Sequence, residues 1–200
     1  MVIVAIVSLL AGILCGQFIF SEATCAIFAN IADYSLYLLM LCVGISIGMN
    51  KNAFQKIKEY HVRILIIPIG IVIGSILGGY VCALVFDMPL SLCMSISSGM
   101  GWYSLSGVLI GNLAGAQAGS IAFLSNLLRE ILSFFSIPII AKYLNFYTTI
   151  APAGATSEDT TLPMMIKYTN EETTIMAVFN GVACSALVPI LINFFSYLNI

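Results

Sequence analysis

The amino-acid sequence predicts an all-α, multi-pass membrane protein, and three observations support this prediction. Hydrophobic residues make up 60% of the 200 residues and charged residues only 8%, whereas soluble domains carry about a quarter charged residues. The mean hydropathy is +1.07, and several apolar runs reach the roughly 20 residues with which a helix spans a bilayer. None of these runs shows the alternating, ~10-residue pattern of an outer-membrane barrel.

The first two predicted spans cover residues 1–20 and 32–49. The apolar start of the chain could be mistaken for a signal peptide, but it has no basic region, and Leu14 is too large for the position before a lipoprotein cysteine. We therefore interpret residues 1–20 as a transmembrane helix. Asp33 lies near the start of the second span, where an acid complements the positive end of the helix dipole. A role in ion or substrate binding is the alternative for Asp33.

A basic loop follows the second span. Four of the seven basic residues of the chain lie in it, namely Lys51, Lys56, Lys58 and Arg63. By the positive-inside rule this loop is cytoplasmic, which also places the N-terminus in the cytoplasm if both preceding spans cross. His61, the only histidine, lies among these charges, and we interpret it as an interfacial residue rather than a proton relay.

The third predicted span covers residues 62–85 and carries three glycines at four-residue spacing, Gly70, Gly74 and Gly78. Small residues on one helix face allow neighbouring backbones to approach closely. The pattern therefore indicates a packing seam.

The fourth predicted span, residues 89–113, is interrupted near 99–101. Hydroxyl groups and free backbone groups are concentrated there to a degree that hydrocarbon does not tolerate. Non-helical backbone survives at membrane depth only where protein or a water-filled cavity covers it, and interrupted helices of this kind form binding sites in transporters. The candidate binding residues are Gly101, Trp102, Tyr103, Ser104 and Ser106. A kinked helix with an interfacial Trp102 and Tyr103 is the alternative.

The fifth predicted span, residues 119–141, contains a polar stripe. Asn126, Arg129, Glu130 and Ser133 fall at i, i+3, i+4 and i+7, so they share one helix face. Charged groups at membrane depth usually face a bundle interior or a wet cavity, and they indicate a functional site. The alternatives are a structural Arg129–Glu130 pair, or an Arg129 that reaches the membrane interface. Just before this span, glycines at four-residue spacing from Gly107 are equally compatible with a continuing helix and with a turn near 112–118.

Residues 148–165 are too polar to span a membrane, although their ends are apolar. A re-entrant segment would reconcile both properties, with Thr156 or Ser157 capping a half-helix and Asp159 turned into the protein. A surface loop with a solvated Glu158 is the alternative. The last predicted span covers residues 173–195.

Three stretches resemble signature stretches of the LysO lysine exporters, in the same order and with similar separations. They are Gly99–Gly107 (GMGWYSLSG), Asn126–Glu130 (NLLRE) and Gly154–Pro163 (GATSEDTTLP). The segment from Asp33 to Ile47 is similar to the acidic helix start and Gly-Ile segment that precede them in that family. The resemblance extends over almost the whole chain and corresponds to the C-terminal portion of the longer family members.

The resemblance implies a transporter-like helix bundle that exports L-lysine and its thia-analogue across the bacterial cytoplasmic membrane. It further implies a small membrane protein that supplies the N-terminal half; surrounding lipid and a homo-oligomer are compatible with this assignment. Glu130 and Asp159 are then candidates for the ammonium groups or for a coupling proton, with sodium as the other candidate coupling ion. Arg129, Asn126 and the amides near Gly99–Gly101 are candidates for the carboxylate.

Two other functions remain open at this stage. A proton/cation antiporter without an organic substrate would use the same acids and the same interrupted helices, and a structural membrane subunit would need only the Arg129–Glu130 pair. An intramembrane hydrolase is disfavoured because the only histidine lies in the basic loop and no GxSxG motif occurs. The sequence predicts no catalytic residue, cofactor, metal site or nucleic-acid partner.

Overall fold

The computed structural model describes residues 65–198 without a gap and, before them, residues 7, 11–12, 14–21, 24–25, 27–28, 30–31, 34–35, 38, 41, 45 and 49. The chain divides into two compact units, Met1–Ile45 and Ser46–Ile200. In the first unit, most described residues are helical, and the rings of Phe20 and Phe28 stack with their centroids 5.0 Å apart. Asp33, His61 and the basic loop lie outside the described residues.

Residues 65–198 form seven α-helices and no strand. The helices are α1 (Ile66–Phe86), α2 (Leu90–Ser97), α3 (Tyr103–Ala114), α4 (Ala116–Tyr143), α5 (Ile150–Ala153), α6 (Leu162–Tyr168) and α7 (Glu171–Tyr197). Short 3-10 turns precede and follow α5, at Tyr147–Thr149 and Gly154–Glu158. The helices α1, α4 and α7 are long and apolar enough to cross a membrane. The predicted all-α membrane fold class is thereby confirmed.

The helices α2 and α3 are each too short to cross a bilayer. With 8 and 12 residues, they extend about 12 Å and about 18 Å at 1.5 Å per residue. Together they approach the ~30 Å thickness of the hydrocarbon core. The chain leaves the helical conformation over residues 98–102, between the two helices.

A tight turn joins α3 to α4 at Gly115, whose φ of 92° favours glycine. The turn decides between the two interpretations of the glycines that start at Gly107, because the helix does not continue through them. The two helices then pack closely along these glycines. A Cβ atom at Gly119 would lie 2.7 Å from the carbonyl oxygen of Gly107 and 2.7 Å from the Cα of Gly111.

The segment between α4 and α7 runs inward along α7 and then returns to its start. The Tyr147 hydroxyl donates to Glu172 Oε1 at 3.0 Å, in the first turn of α7. Farther along, Glu158 accepts a hydrogen bond from Ser185, 13 residues or about 20 Å deeper on the same helix. The segment then returns to Asn170, whose side chain caps α7 by accepting the Thr173 amide. It therefore enters and leaves beside the same end of α7.

The most buried long helix is α7. In the most apolar 18-residue window of each helix, 56% of the residues are buried in α7 but only 17% in α1. No described atom lies within 4 Å of a Cβ built at Gly70, Gly74 or Gly78. Within the described part of the chain, the close approach of α1 to α2 occurs instead at Gly79, where a Cβ would lie 2.8 Å from the Cys93 carbonyl oxygen.

Gly119→Ala tests the packing of α3 on α4. We expect it to lower the thermal unfolding midpoint of the detergent-purified protein, because the new methyl group would meet backbone atoms that cannot rotate away, and overpacking costs about 1–3 kcal/mol. The matched control is Gly70→Ala, where the described residues leave open space and alanine favours the helix by about 1 kcal/mol. Equal midpoints for the two variants would contradict this packing.

Candidate functional site

Asn126 on α4 joins the two sides of the interrupted helix. Its Oδ1 accepts the Gly101 amide at 2.8 Å, and its Nδ2 donates to the carbonyls of Ile96 and Ala122, both at 3.0 Å. A Cβ at Gly99 would lie 2.7 Å from Asn126 Oδ1. Asn126 is therefore a structural side chain that satisfies the polar backbone of the break, rather than a free ligand for substrate.

The amides of the break are all bonded within the protein. Those of Gly99, Met100 and Trp102 donate to nearby carbonyls, and that of Gly101 donates to Asn126. The structure therefore leaves none of them free for a carboxylate, contrary to their expected role as carboxylate ligands.

The second irregular segment, residues 148–165, directly contacts the break in the interrupted helix at residues 98–102. The Ala155 amide donates to the Met100 carbonyl at 3.0 Å, and Met100 is fully buried with a φ of 47°. That left-handed conformation is uncommon for a residue other than glycine. At the crossing, Gly154 also has a positive φ, 59°, and a Cβ there would collide with the Met100 carbonyl and lie 3.1 Å from Arg129. Only glycine fits this crossing.

The predicted cap residues are held by hydrogen bonds within their own segment and to α7. Thr156 Oγ1 donates to the Ala153 carbonyl at 2.9 Å. Ser157 Oγ lies 2.7 Å from the Ala177 carbonyl and accepts a bond from Asn180 Nδ2 at 3.0 Å. Asn180 also donates to the Gly154 carbonyl at 2.9 Å. These bonds attach the segment to the middle of α7.

Arg129 and Glu130 do not pair with each other. Arg129 donates through Nη1 to Ser75 Oγ at 2.9 Å, through Nε to the Pro152 carbonyl at 3.3 Å, and through Nη2 to the Ala151 carbonyl at 3.4 Å. All three acceptors are uncharged. The alternative of a structural Arg129–Glu130 pair therefore finds no support in residues 65–198.

Glu130 is completely buried, and neither of its carboxyl oxygens has a hydrogen-bond partner in the described part of the chain. The Thr160 hydroxyl and the Asp159 carboxylate lie close enough to influence it electrostatically, although Thr160 does not reach hydrogen-bond geometry. Tyr103 is likewise close enough to Glu130 and Asp159 for electrostatic interaction. Among the described residues, no cluster of three or more acidic, histidine or cysteine side chains is arranged to hold a metal ion.

The two acids of the second segment differ from expectation. Asp159 is exposed, and its carboxylate accepts the amide and hydroxyl of the adjacent Thr160. Glu158, expected as a solvated residue in the surface-loop interpretation, is instead half-buried against Gly181 and accepts the Ser185 hydroxyl at 2.7 Å. Glu158 is held by α7 because the absence of a side chain at Gly181 makes room for it.

The remaining candidates lie at the start of α3. Trp102 is half-buried and precedes the helix, and its carbonyl accepts the Ser106 hydroxyl at 2.8 Å. Ser106 is fully buried. The Tyr103 ring packs edge-on against Phe123, with 5.3 Å between centroids. Ser104 is exposed, so it does not join the buried polar groups.

Three residues near the site were not among the sequence candidates: Ser75, Asn180 and Thr160. Ser75 is the one serine or threonine in α1, which could have marked it. Asn180 is a polar residue in an apolar stretch of α7, and this pattern could have identified it as a candidate. Thr160 carries no distinguishing pattern, since its neighbourhood is rich in threonine.

The fold and the site together define an integral membrane protein with an interrupted helix and a buried acid at its centre. The sequence over residues 6–196 matches the family described as "Lysine exporter LysO". The chain belongs to this family, and the predicted resemblance is confirmed. The family is one of exporters rather than of enzymes.

Two relatives illustrate the match. The chain is 36% identical over 165 residues to the "Lysine exporter LysO" of Escherichia coli (strain K12), covering 82% of this chain and 54% of that protein. It is 37% identical over 163 residues to a "Putative lysine exporter" of Haemophilus influenzae, covering 82% and 83% of the two chains. The matched part thus spans about half the length of the E. coli relative. No solved structure matches the chain significantly.

Asn126→Leu tests the structural role of Asn126. We expect a marked fall in the thermal unfolding midpoint, since the buried Gly101 amide loses its partner at about 1–3 kcal/mol, whereas the Ile96 carbonyl keeps its bond from the Gly99 amide. Asn193→Leu is the control, because Asn193 Nδ2 bonds the Pro189 carbonyl of its own helix. If both substitutions shift the midpoint by the same amount, Asn126 does not stabilise the break.

Proposed function

We propose that this chain is the larger part of a bacterial cytoplasmic-membrane exporter that moves L-lysine and close analogues outward in exchange for protons or another cation. The observation that carries the proposal is Glu130, whose carboxyl group is buried without a hydrogen-bond partner among the described residues. An isolated buried carboxylate is very costly. Glu130 therefore needs a bound proton or cation, and that requirement suits a group that alternates between the two.

Competition at Glu130 would couple the two fluxes. A carboxylate binds either a proton or a substrate ammonium group, so that arrival of one favours release of the other. Asp159 lies near Glu130 and is exposed, so it is suited to exchange cations with water before they reach the buried site. Tyr103 is close enough to both acids to interact with them electrostatically.

Arg129 is the candidate for the substrate carboxylate. Its guanidinium group keeps its charge at any physiological pH and binds carboxylates in a bidentate manner. Asn126 supports this role indirectly, because it fixes the break beside which Arg129 lies. Asp33 stays a candidate ion-binding residue.

The assembly we propose has two chains. A small membrane protein supplies the N-terminal half, and this proposal is supported by the match's covering only 54% of the E. coli relative. The basic loop 50–63 is then cytoplasmic, as is the N-terminus. Lipid covers the outer faces of the helices, and association of several copies is compatible with this arrangement.

Glu130→Gln tests the exchange mechanism. In inside-out vesicles that contain both chains, we expect uptake of labelled lysine to fall at least tenfold, because an amide keeps the size of the side chain but cannot bind a proton or a cation by its charge. Glu171→Gln is the matched control, since Glu171 lies exposed at the start of α7. Wild-type uptake by Glu130→Gln would refute the role of Glu130. If wild-type vesicles ignore lysine but dissipate a pH gradient when sodium is added, the protein is a proton/cation antiporter instead.

The two-chain assembly is tested by the same vesicles with and without the small partner. We expect lysine uptake only when both chains are present, because half of the predicted bundle is otherwise missing. Purified chain that transports lysine at full rate alone would exclude the two-chain assembly while leaving lysine export intact.

A further inference from the structure

A large cavity borders the face of α1 on which the three spaced glycines lie. Its volume is about 830 Å³, and its walls come from α1, α2, α4 and the residues around Tyr147–Ala151. Most of the lining side chains are apolar, and none of them is acidic. Such a cavity exceeds the size of one amino acid and offers no countercharge to an ammonium group.

The charged group on this cavity is Arg129. Of the five N–H donors of a guanidinium group, three are engaged, by Ser75, Pro152 and Ala151. All three acceptors are neutral, so within residues 65–198 the positive charge has no anionic partner. Two donors remain for a further acceptor, and an anion is the partner that would neutralise the charge.

Ser75 fixes the direction of this guanidinium group. Its hydroxyl accepts Arg129 Nη1 at 2.9 Å across the space between α1 and α4, and Ser75 is only 9% exposed. The carbonyls of Ala151 and Pro152 hold the other edge of the group. These three neutral acceptors lie on two sides of the Arg129 guanidinium group. They fix its orientation but do not neutralise its positive charge.

We infer that this cavity receives the carboxylate end of the transported amino acid, with Arg129 as its ligand and Ser75 as the residue that positions Arg129. The inference rests on the proposed function and adds a location and a second residue to it. Only the carboxylate end of the substrate enters this cavity, and its ammonium groups extend out of it towards the acids named in the proposed function, because the lining includes Arg129 but no acidic residue. Specificity for an amino acid over a diamine follows, since a diamine lacks the group that Arg129 binds.

The test uses Ser75→Ala in vesicles that contain both chains. We expect the KM for lysine to rise roughly tenfold with little change in kcat, because loss of a hydrogen bond to a charged group weakens substrate binding by about this factor. Inhibition by 1,5-diaminopentane, which has the same carbon chain and two ammonium groups but no carboxylate, should stay at its wild-type strength. Ser75→Thr keeps the hydroxyl and should restore the KM.

Ser120→Ala is the matched control, because Ser120 lies on α4 outside the cavity and its hydroxyl donates to the Ala116 carbonyl of its own helix. It should leave the KM for lysine and the inhibition by the diamine unchanged. The inference is overturned if Ser75→Ala leaves the lysine KM unchanged, if it weakens lysine and the diamine equally, or if Ser120→Ala has the same effect. In all three cases lysine export itself would stand. Wild-type vesicles that do not take up lysine would remove the proposed function, and the inference with it.

Discussion

The polar backbone of residues 98–102 interrupts a helix inside an apolar bundle, and the rest of the site depends on how its hydrogen bonds are satisfied. In lipid, an unpaired amide or carbonyl costs several kcal/mol. Nearby carbonyls pair most amides of the break, and Asn126 on the neighbouring helix pairs the remaining one, because it accepts the Gly101 amide and also donates to the Ile96 carbonyl at the end of α2. The Met100 carbonyl is paired by Ala155 of the second irregular segment. Each irregular segment thus supports the other.

This mutual support determines where the charged side chains of α4 point. Asn126 must face the break, and successive residues of an α-helix are rotated by about 100°. Arg129 consequently faces α1 and α5, whereas Glu130 faces the buried side near Thr160 and Asp159. The side chains of adjacent residues in an α-helix do not face each other. The sequence Arg129-Glu130 therefore presents a cation and an acid to two different parts of the bundle, and neither neutralises the other.

Composition and apolar run lengths were enough to predict the membrane class, and the polar stripe at i, i+3, i+4 and i+7 was enough to find the helix whose polar side chains are buried. Periodicity could not assign separate roles to Asn126, Arg129 and Glu130, because one helix face says nothing about which neighbour each side chain meets. It also could not decide on the turn at Gly115, since glycines at four-residue spacing suit both a helix interface and its end. Glu158 and Ser75 depend on partners that are far away in the sequence, Ser185 and Arg129. No local pattern contains that information.

The separation of the two charges has a consequence for a substrate that carries both signs. If Arg129 and Glu130 were paired, the site would be neutral before anything bound, and a charged ligand would have to break a buried ion pair at a cost of several kcal/mol. Because Arg129 is bonded only to uncharged acceptors and Glu130 has no hydrogen-bond partner among the described residues, the guanidinium group and the carboxyl group are each available to a ligand of opposite charge. In the proposed exporter, a dibasic amino acid would bind both groups, whereas a proton would bind the acid alone. That difference between the two ligands would allow one to be exchanged for the other.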